Sequence, residues 1–391
     1  MAESVKVVDP NEGAGWDYHS LFDWEAAQQA DIDTSNTIAV AKCRCTGGTA
    51  DTTAVTIAGW ITSATDYIKI WTDPSETYRH NGTYETGNHY RLEVAGDAIN
   101  VQAKFVQIYG LQFYQTTINT YGILFYDGVS NGYSYIVKDC VGKGTSAGQQ
   151  GLSKLYMTVS STGTLIFINC IAYDFTNAGA AGIFFNDTGT CLAYNCTFSN
   201  CTLGVNRSLA TVTLKNCIFS SCTLDAAGTI SDTYCATTND NTKGLTSAGT
   251  GNHFSHTFSF VGAADFHLQS TDVGAIGLAL NLYNDANYPF QNDIDGQDRG
   301  GAAAAWDIGA DEYVSSAAIE QEGFRHRNDD GDEATATWKA NQDMNITLAA
   351  DTAFRLRFLL KATGNPDSID AQAEARVKPS GGAFGAWEKI N

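Results

Sequence analysis

Four cysteines recur at one place in a repeated sequence unit, and recurring cysteines can bind a metal, form disulfides or pack in a core. Two clear copies of the unit read LAYNCTFSNC at 192–201 and TLKNCIFSSC at 213–222. Two looser copies lie at 135–144 and 166–175. The first cysteines of the four copies are 30, 26 and 21 residues apart: Cys140, Cys170, Cys196 and Cys217.

Packing explains these cysteines better than zinc or disulfides do. The pairs have the spacing Cys-x4-Cys, and no histidine lies nearby to complete a Cys2His2 set. Disulfides need an oxidising compartment. The first residues, MAESVKVVDPNEGAG, contain neither the basic nor the apolar region of a secretory signal. We therefore expect a chain made in the cytoplasm, with its cysteines reduced, buried and free of metal.

Two acidic clusters have the residue types of a Ca²⁺ site. Each places alternating carboxylates around a glycine, as part of a Ca²⁺-binding loop does. Neither has the bidentate Glu at position 12 of an EF-hand loop, and both fit Asx-rich turns equally well. No cofactor is predicted apart from Ca²⁺ at these clusters. Their carboxylates are Asp293, Asp295 and Asp298 in DIDGQD, and Asp329, Asp330 and Asp332 in NDDGDE.

A second repeat, led by glycine, indicates which elements position these residues. It reads YGILFYDG from 121, AGIFFNDTG from 181 and LGVNRSLA from 203, with a weaker match, QGLSKLYMTV, from 150. Each unit is therefore a Gly-led strand, a turn, a strand ending at Asn and a strand led by Cys. Three short strands in every ~20–30 residues describe one coil of a parallel β-helix.

Stacked coils explain why the repeat contains the dipeptide Asn-Cys. Equivalent residues of successive coils lie roughly 4.8 Å apart, the spacing of paired strands. Asparagine tolerates a left-handed turn conformation, and its amide can bond to the next coil. Cysteine is a small, polarisable core residue. We predict a ladder of Asn169, Asn195 and Asn216 beside a column of Cys170, Cys196 and Cys217.

The composition disfavours some classes of partner and favours one class of fold. The chain has 391 residues and a net charge of −20, which disfavours nucleic acid and anionic membranes as partners. Only 17% of residues are charged, and the 38 glycines favour an all-β protein with many turns. No apolar run approaches the ~18 residues of a membrane-spanning helix.

The repeats resemble those of right-handed parallel β-helix proteins of the pectin-lyase-like superfamily. FVGAADFHLQSTDVGAIGLA (260–279) and DIDGQDRGGAAAAWDIGADEY (293–313) are similar to closing segments of phage and environmental bacterial members, and DYHSLFDWEAAQQADI is similar to their opening segments. The resemblance covers roughly residues 16–313. It implies an all-β, right-handed parallel β-helix, but this fold supports lyases, hydrolases, adhesins and viral spikes alike.

Three domains are expected. Residues 1–95 form an N-terminal cap of a short helix plus strands, residues 96–313 the β-helix, and residues 314–391 a small β-sandwich module. Ser20 is the predicted N-cap of the helix, with Asp23 at its third position. The helix is expected to cover one end of the β-helix, and the segment near Trp306 and Tyr313 the other.

The resemblance also implies where catalysis would occur. Polysaccharide lyases of this fold carry Asp or Glu for Ca²⁺ or substrate, and Lys or Arg as base, on one sheet face. The candidates on the Gly-led strands are Asp127, Lys154, Asp187 and Arg207. They fall on different coils at inexact register, and few basic residues lie between 97 and 312, whereas a cleft for an anionic polysaccharide is normally basic. Solvated strand ends and turns explain this set better than catalysis does.

The sequence therefore predicts a non-enzymatic structural or adhesive protein, a phage virion component such as a fibre, spike or decoration protein. Its expected partners are copies of itself, other virion proteins and a cell-surface polysaccharide. Its expected location is the virion, or otherwise the cell surface. The alternative is a polysaccharide lyase or hydrolase. A basic and acidic groove along the Gly-led sheet would favour the enzyme, and a flat Thr, Asn and aromatic face would favour adhesion.

Overall fold

The computed structural model describes most of the chain: residues 2–126, 132–145, 149–156, 162–186, 188–246, 251–314, 318–331, 335–344, 346–347, 354–363, 374–375 and 388–389. It contains two compact units, residues 1–313 and 314–391. The first unit holds two short helices, α1 (Leu21–Gln28) and α2 (Ile32–Ser35). All its other regular elements are strands, as the all-β prediction requires.

The strands of the first unit are short and follow one another closely. Strands β1 to β9 are Ala2–Val8, Thr37–Cys43, Val55–Ile57, Ile68–Trp71, Arg91–Val94, Ile99–Val101, Phe105–Tyr109, Gln112–Gln115 and Tyr121–Tyr126. Strands β10 to β18 are Tyr133–Lys138, Val141–Lys143, Gly151–Tyr156, Gly163–Ile168, Ile171–Tyr173, Ala181–Asn186, Thr190–Tyr194, Thr197–Ser199 and Leu203–Arg207. Strands β19 to β25 are Thr211–Lys215, Ile218–Ser220, Leu224–Ala227, Ser231–Thr233, Ala236–Thr237, Phe260–Gly262 and Asp265–Leu268.

Three parallel sheets run the length of this unit. Sheet 1 has the order β1-β2-β4-β7-β10-β13-β16-β19-β22, sheet 2 has β5-β8-β11-β14-β17-β20-β23, and sheet 3 has β3-β6-β9-β12-β15-β18-β21. From β4 to β21 the chain visits sheets 1, 2 and 3 in turn, six times, and from β7 onward each strand pairs in parallel with its equivalent in the preceding coil. The predicted parallel β-helix is confirmed.

The coils begin at the N-terminus, so residue 95 does not divide a cap from the β-helix. Strands β1, β2 and β4 belong to the same sheet as the later coils. Helix α1 starts as predicted, because the Ser20 hydroxyl accepts a hydrogen bond from the Asp23 N–H at 3.1 Å. Its Trp24 is buried and stacks on Trp60 with the ring centroids 5.5 Å apart. Residues 1–95 therefore supply a helix and the first coils of one continuous core.

A residue in the left-handed conformation separates each sheet 1 strand from the sheet 2 strand that follows. From β7 onward the φ angles at this corner lie between 49° and 69°. Such angles are costly for most side chains but are tolerated by Gly, Asn and Asp. The corner residues are Gly110, Asp139, Asn169, Asn195, Asn216 and Tyr234. The three predicted ladder asparagines thus occupy one corner and are fully buried.

The cysteine column follows directly from this corner. A regular strand would place Cys170 on the face opposite Leu165 and Phe167, because side chains alternate between the two faces. The left-handed turn at Asn169 instead directs Cys170 into the same core as those two residues. All ten cysteines are buried free thiols. Cys140 and Cys235 occupy the equivalent position in their own coils. Burial is the main cause that raises the pKa of the Cys196 thiol.

The closing segment, residues 254–313, lies along the side of the coils and not across their end. Ile166 and Ile168 on the outer face of sheet 1 pack against Leu282 and Trp306. Outward-facing residues of sheet 2 are covered in the same way, for example Ile171 by other residues of the segment. The expectation that the region near Trp306 covers the end of the β-helix is therefore wrong, because these outer faces are apolar and need a partner.

Asparagine amides hold the closing segment in place. Asn216 acts as a peptide group: its Nδ2 donates to the Leu280 carbonyl at 2.8 Å, and its Oδ1 accepts from the Leu280 N–H at 2.9 Å. Asn195 Nδ2 donates to the carbonyls of Asp307 and Gly309, both at 3.1 Å. Asn216 also donates to Asn195 Oδ1 at 2.9 Å, so part of the predicted ladder is present.

The second unit is antiparallel. Strands β26 (Ala318–Asn328) and β27 (Phe354–Thr363) form one two-stranded sheet, and β28 (Glu374–Ala375) pairs with β29 (Glu388–Lys389). The three long sheets of the first unit are parallel, and only its short β24–β25 pair is antiparallel among the described residues. A small antiparallel β part therefore follows the β-helix.

Replacing Cys196 tests the packing of the thiol column. Cys196→Ser should lower the free energy of unfolding by about 1–3 kcal/mol, because it buries a hydroxyl in an apolar site. Cys196→Ala should cost less. Chemical denaturation measures both, and a thiol reagent should label the wild-type protein only when it unfolds. A serine variant as stable as the wild type would contradict the packing role.

Replacing Asn195 separates the corner conformation from the amide bonds. Asn195→Gly keeps the left-handed conformation and removes the amide, which should cost about 1–3 kcal/mol. Asn195→Ala should cost about 1 kcal/mol more, because alanine is strained there. Urea unfolding measures the difference, and Asn206→Ala on the outer face of sheet 3 is the control, with an expected effect within roughly 0.5 kcal/mol. A glycine variant less stable than the alanine variant would refute the argument.

Candidate functional site

The residues predicted on the Gly-led strands do not form a catalytic set. Strands β12 and β18 of sheet 3 carry Lys154 and Arg207, and β15 lies between them. Arg207 pairs with Phe185, and its guanidinium donates to the backbone carbonyl of Ala210 at 2.6 Å. Arg207 thus holds the turn after its own strand. Asp127 and Asp187 lie outside the described residues.

Lys154 lies in an aromatic strip on the outer face of sheet 3. Its ammonium is 4.8 Å from the ring centre of Tyr156 and 5.2 Å from those of Tyr121 and Phe184. Tyr156 also stacks on Tyr126 at 5.7 Å. Burial lowers the pKa of Lys154, against the attraction of Asp97. An aromatic face was expected of an adhesive surface, and an acidic and basic groove was expected of an enzyme. The strip is closer to the first of these.

The first acidic cluster does not close around one point. Asp298 Oδ1 accepts the Gly300 N–H at 2.7 Å and so forms a turn. Asp293 is buried and accepts the N–H groups of Gln297 and Glu312, at 2.7 and 3.0 Å. Asp295 points instead toward His267, with 3.6 Å between Oδ2 and Nε2. Asp293 and Asp295 also interact with each other, whereas Asp298 belongs to a separate turn.

The second acidic cluster has partners within the C-terminal unit. Asp329 forms an ion pair of 2.7 Å with Arg355. Asp330 accepts the Thr337 N–H at 2.9 Å. Asp332 lies outside the described residues. Asp330 thus stabilises a turn, and Asp329 forms a cross-strand ion pair.

The structure brings together a different set of residues in a cleft on sheet 1. Trp71, Tyr109 and Lys138 are in register on β4, β7 and β10, and their side chains form its floor. On the following strands the equivalent positions are Ile168 and Tyr194, which the closing segment covers. The cleft opens where this cover ends. Its volume is about 410 Å³, and its walls are Lys69, Pro74, Arg79, Asp139, Tyr288, Asn292, Asp293 and Gly296.

Arg79 is the most deeply buried cation of the cleft. Only 9% of its side chain is exposed, and its Nη2 donates to Asp139 Oδ2 at 2.7 Å. Its Nε has no hydrogen-bond partner within the described part of the chain. The buried indole Nε1 of Trp71 likewise lacks a partner among the described residues. Buried donors normally have partners, so these two have unused hydrogen-bonding capacity.

Three cations line this cleft; Arg79 and Lys138 share Asp139, and Lys69 pairs with Glu3, which lies outside the lining, at 3.3 Å. Lys138 Nζ is 3.9 Å from Asp139, and Lys69 Nζ is 4.0 Å from the ring centre of Trp71. Burial raises the pKa of Asp293, which favours its neutral form. Asp139 is the other carboxylate in the lining, and Arg79 already pairs with it. The cleft is therefore locally basic in a chain whose net charge is −20.

The loop that carries Arg79 is fixed by ion pairs to the neighbouring strand. Lys42 Nζ lies 2.7 Å from both Asp73 and Glu76, and Arg44 also pairs with Glu76. Burial would raise the pKa of Asp73, but hydrogen bonds from Lys42 and Ser75 lower it to about 2. These contacts order residues 73–79 before a ligand binds.

Sequence reasoning missed this cleft because its residues range from Lys69 to Gly296. The count of basic residues began at residue 97 and so omitted Lys69 and Arg79. The alternation of YIKIWT, with Lys69 and Trp71 on one face of β4, was the local signal that could have been used.

No family model, curated protein or solved structure matches this chain. Among the described residues, no helix has the length and apolar character needed to cross a membrane.

Proposed function

We propose that this chain is a non-enzymatic structural or adhesive protein that binds an acidic polysaccharide in the sheet 1 cleft. We further propose that it acts as one of many copies in a larger particle such as a phage virion. The observation that carries the proposal is the buried Arg79 guanidinium, with an unpartnered Nε, at the wall of an aromatic-floored cleft.

The cations fit the carboxylates of a polysaccharide. A guanidinium presents several N–H donors in one plane and suits carboxylate recognition. Lys138 and Lys69 add positive charge at the floor and wall. Because the protein as a whole repels anions, a local basic cleft limits anionic ligands to this position.

The aromatic floor fits the apolar face of a sugar ring. Trp71 and Tyr109 are adjacent in the same column, one strand spacing apart. Aromatic rings supply a large apolar contact area and a polar edge, and ligand sites combine such surfaces with a few placed polar groups. Tyr288 on the closing segment supplies a third ring.

The carboxylates in the cleft are better suited to binding than to acid–base catalysis. Asp139 pairs with Arg79, and Asp293 accepts two backbone N–H groups. General acid–base catalysis needs a group free to exchange a proton with the substrate. Asp139, which pairs with Arg79, does not meet this condition.

Stiffness and modularity support a role in a particle. Each coil pairs with its neighbours along three sheets, which makes a rigid display element. The antiparallel C-terminal unit is separate and is available for attachment.

The cleft is tested by binding of oligogalacturonate, with dextran oligosaccharides as the neutral probe. Isothermal titration should detect oligogalacturonate only, with an affinity that falls as salt rises. Arg79→Met and Lys138→Ala should each weaken binding by about tenfold or more, since each removes a charged contact. Lys154→Ala, on sheet 3, is the matched control and should bind normally. Equal affinity in all variants would contradict the assignment.

The same protein is to be assayed for cleavage of acidic and neutral polysaccharides, with and without Ca²⁺. We expect none. Robust eliminative or hydrolytic cleavage that is lost in Lys138→Ala, or in Lys154→Ala or Arg207→Ala, would replace the adhesive function with that of a lyase or hydrolase.

Assembly is tested by deleting residues 314–391. Analytical ultracentrifugation should show that the full chain self-associates and that the shortened chain does not. The shortened chain should keep its β-rich circular dichroism and its oligogalacturonate binding. Self-association that survives the deletion would assign attachment to the β-helix itself.

A further inference from the structure

We propose that His267, Asp295 and Asp311 form a binding site for a divalent transition-metal ion such as Zn²⁺. Each residue offers one ligand atom, and the three atoms lie within 4.8 Å of one another. Metal–ligand bonds of ~2.0–2.2 Å place ligand atoms roughly 3–4 Å apart, so small side-chain rotations complete the site.

Asp265 orients the histidine for this role. His267 Nδ1 and Asp265 Oδ1 are 2.5 Å apart, and both residues belong to β25. A histidine that donates its Nδ1–H to a carboxylate keeps the lone pair on Nε2 for a metal, and metal-bound histidines commonly have this partner. Nε2 faces Asp295 Oδ2 at 3.6 Å.

The two carboxylates lie beside the imidazole. Asp295 Oδ1 is buried and accepts no hydrogen bond from the residues that the structure describes. The side chain of Asp295 is only 15% exposed, so water reaches it poorly. Asp311 is 5% exposed, and the Leu268 N–H fixes its Oδ2 at 2.7 Å. Both carboxylates are thus held in position with capacity for a further bond.

The donor set selects the class of ion. One imidazole nitrogen and two carboxylate oxygens suit Zn²⁺, Co²⁺ or Mn²⁺, whereas Ca²⁺ takes six to eight oxygen ligands. The same region holds further acidic groups, Asp293 and Glu312, against the buried cation Arg299.

Binding exchanges a proton for the metal. In the metal-free protein the imidazole lies between two carboxylates, with Nδ1 2.5 Å from Asp265 Oδ1 and Nε2 3.6 Å from Asp295 Oδ2. On binding, the Nε2–H bond breaks, the proton leaves to solvent, and the nitrogen electron pair forms the bond to the ion. No redox change is involved.

The site adjoins the cleft. Asp295 lies in the turn that contributes Asp293 and Gly296 to the cleft wall, and His267 lies on β25. A bound ion would tie that turn to β25 and order the wall. This last consequence rests on the proposed polysaccharide-binding function, whereas metal binding itself does not.

Metal binding is tested with the full chain after chelator treatment and dialysis, in the absence of saccharide. Zn²⁺ should bind in one equivalent by isothermal titration, and Co²⁺ should give a visible absorption band. Asp265→Asn should weaken Zn²⁺ binding about 10–100-fold, as loss of an orienting partner does. His267→Gln and Asp311→Asn should abolish it, and Asp298→Asn, in the neighbouring turn, is the matched control.

The wild-type titration decides the matter even where a variant folds poorly. A wild-type chain that binds none of Zn²⁺, Co²⁺ and Mn²⁺ would overturn the proposal, as would unchanged binding in folded His267→Gln protein. Bound Zn²⁺ should also raise the melting temperature of the wild type. Oligogalacturonate binding by the chelator-treated protein is measured separately, so a failure of the cleft proposal and a failure of the metal proposal give different results.

Discussion

The left-handed corner between sheets 1 and 2 is the constraint on which the rest of the first unit depends. It turns the chain at the end of each sheet 1 strand and directs the next residue, cysteine in five coils, into the core. It also leaves the corner side chains free to bond outside the coil. Asn195 and Asn216 use that freedom to hold the closing segment, and Asn169 donates to Asp139 at 2.9 Å.

The same corner builds the cleft. Asp139 occupies the corner one coil before Asn169, and its carboxylate holds Arg79 at the cleft wall. The closing segment covers sheet 1 only as far as the apolar positions extend. Its own fold is held by the buried Arg299, which donates to the carbonyls of Gly309 and Ala310 at 3.0 and 2.7 Å and pairs with Glu312. The outward-facing position of sheet 1 that holds Ile168 holds Lys138 and Tyr109 in the two preceding coils. The closing segment does not cover these two residues, so they form the exposed floor of the cleft.

These features place the basic cleft and the cluster of His267, Asp295 and Asp311 next to each other on the first unit. The cleft concentrates positive charge in an acidic protein, and the neighbouring turns concentrate buried carboxylates around one imidazole. The turn that carries Asp293 and Asp295 belongs to both. Asp293 of the cleft wall and Asp295 of the proposed metal site are two positions apart in this turn, so binding at either proposed site would have a direct structural route to the other.

The sequence by itself determined the repeating part of this protein. Strand order, the corner asparagines, the buried cysteines and the N-cap at Ser20 could all be predicted, because each depends on local spacing and on stacking of identical units. Tertiary structure decided the rest. The side chain of Cys170 faces the core only because of the turn at Asn169, and the closing segment follows the flank because apolar residues there need cover. Arg79 and Asp293 meet in the cleft, and His267 and Asp311 meet in the proposed metal site, although the members of each pair are far apart in the sequence. At such separations the spacing of residues in the sequence carries no geometric information.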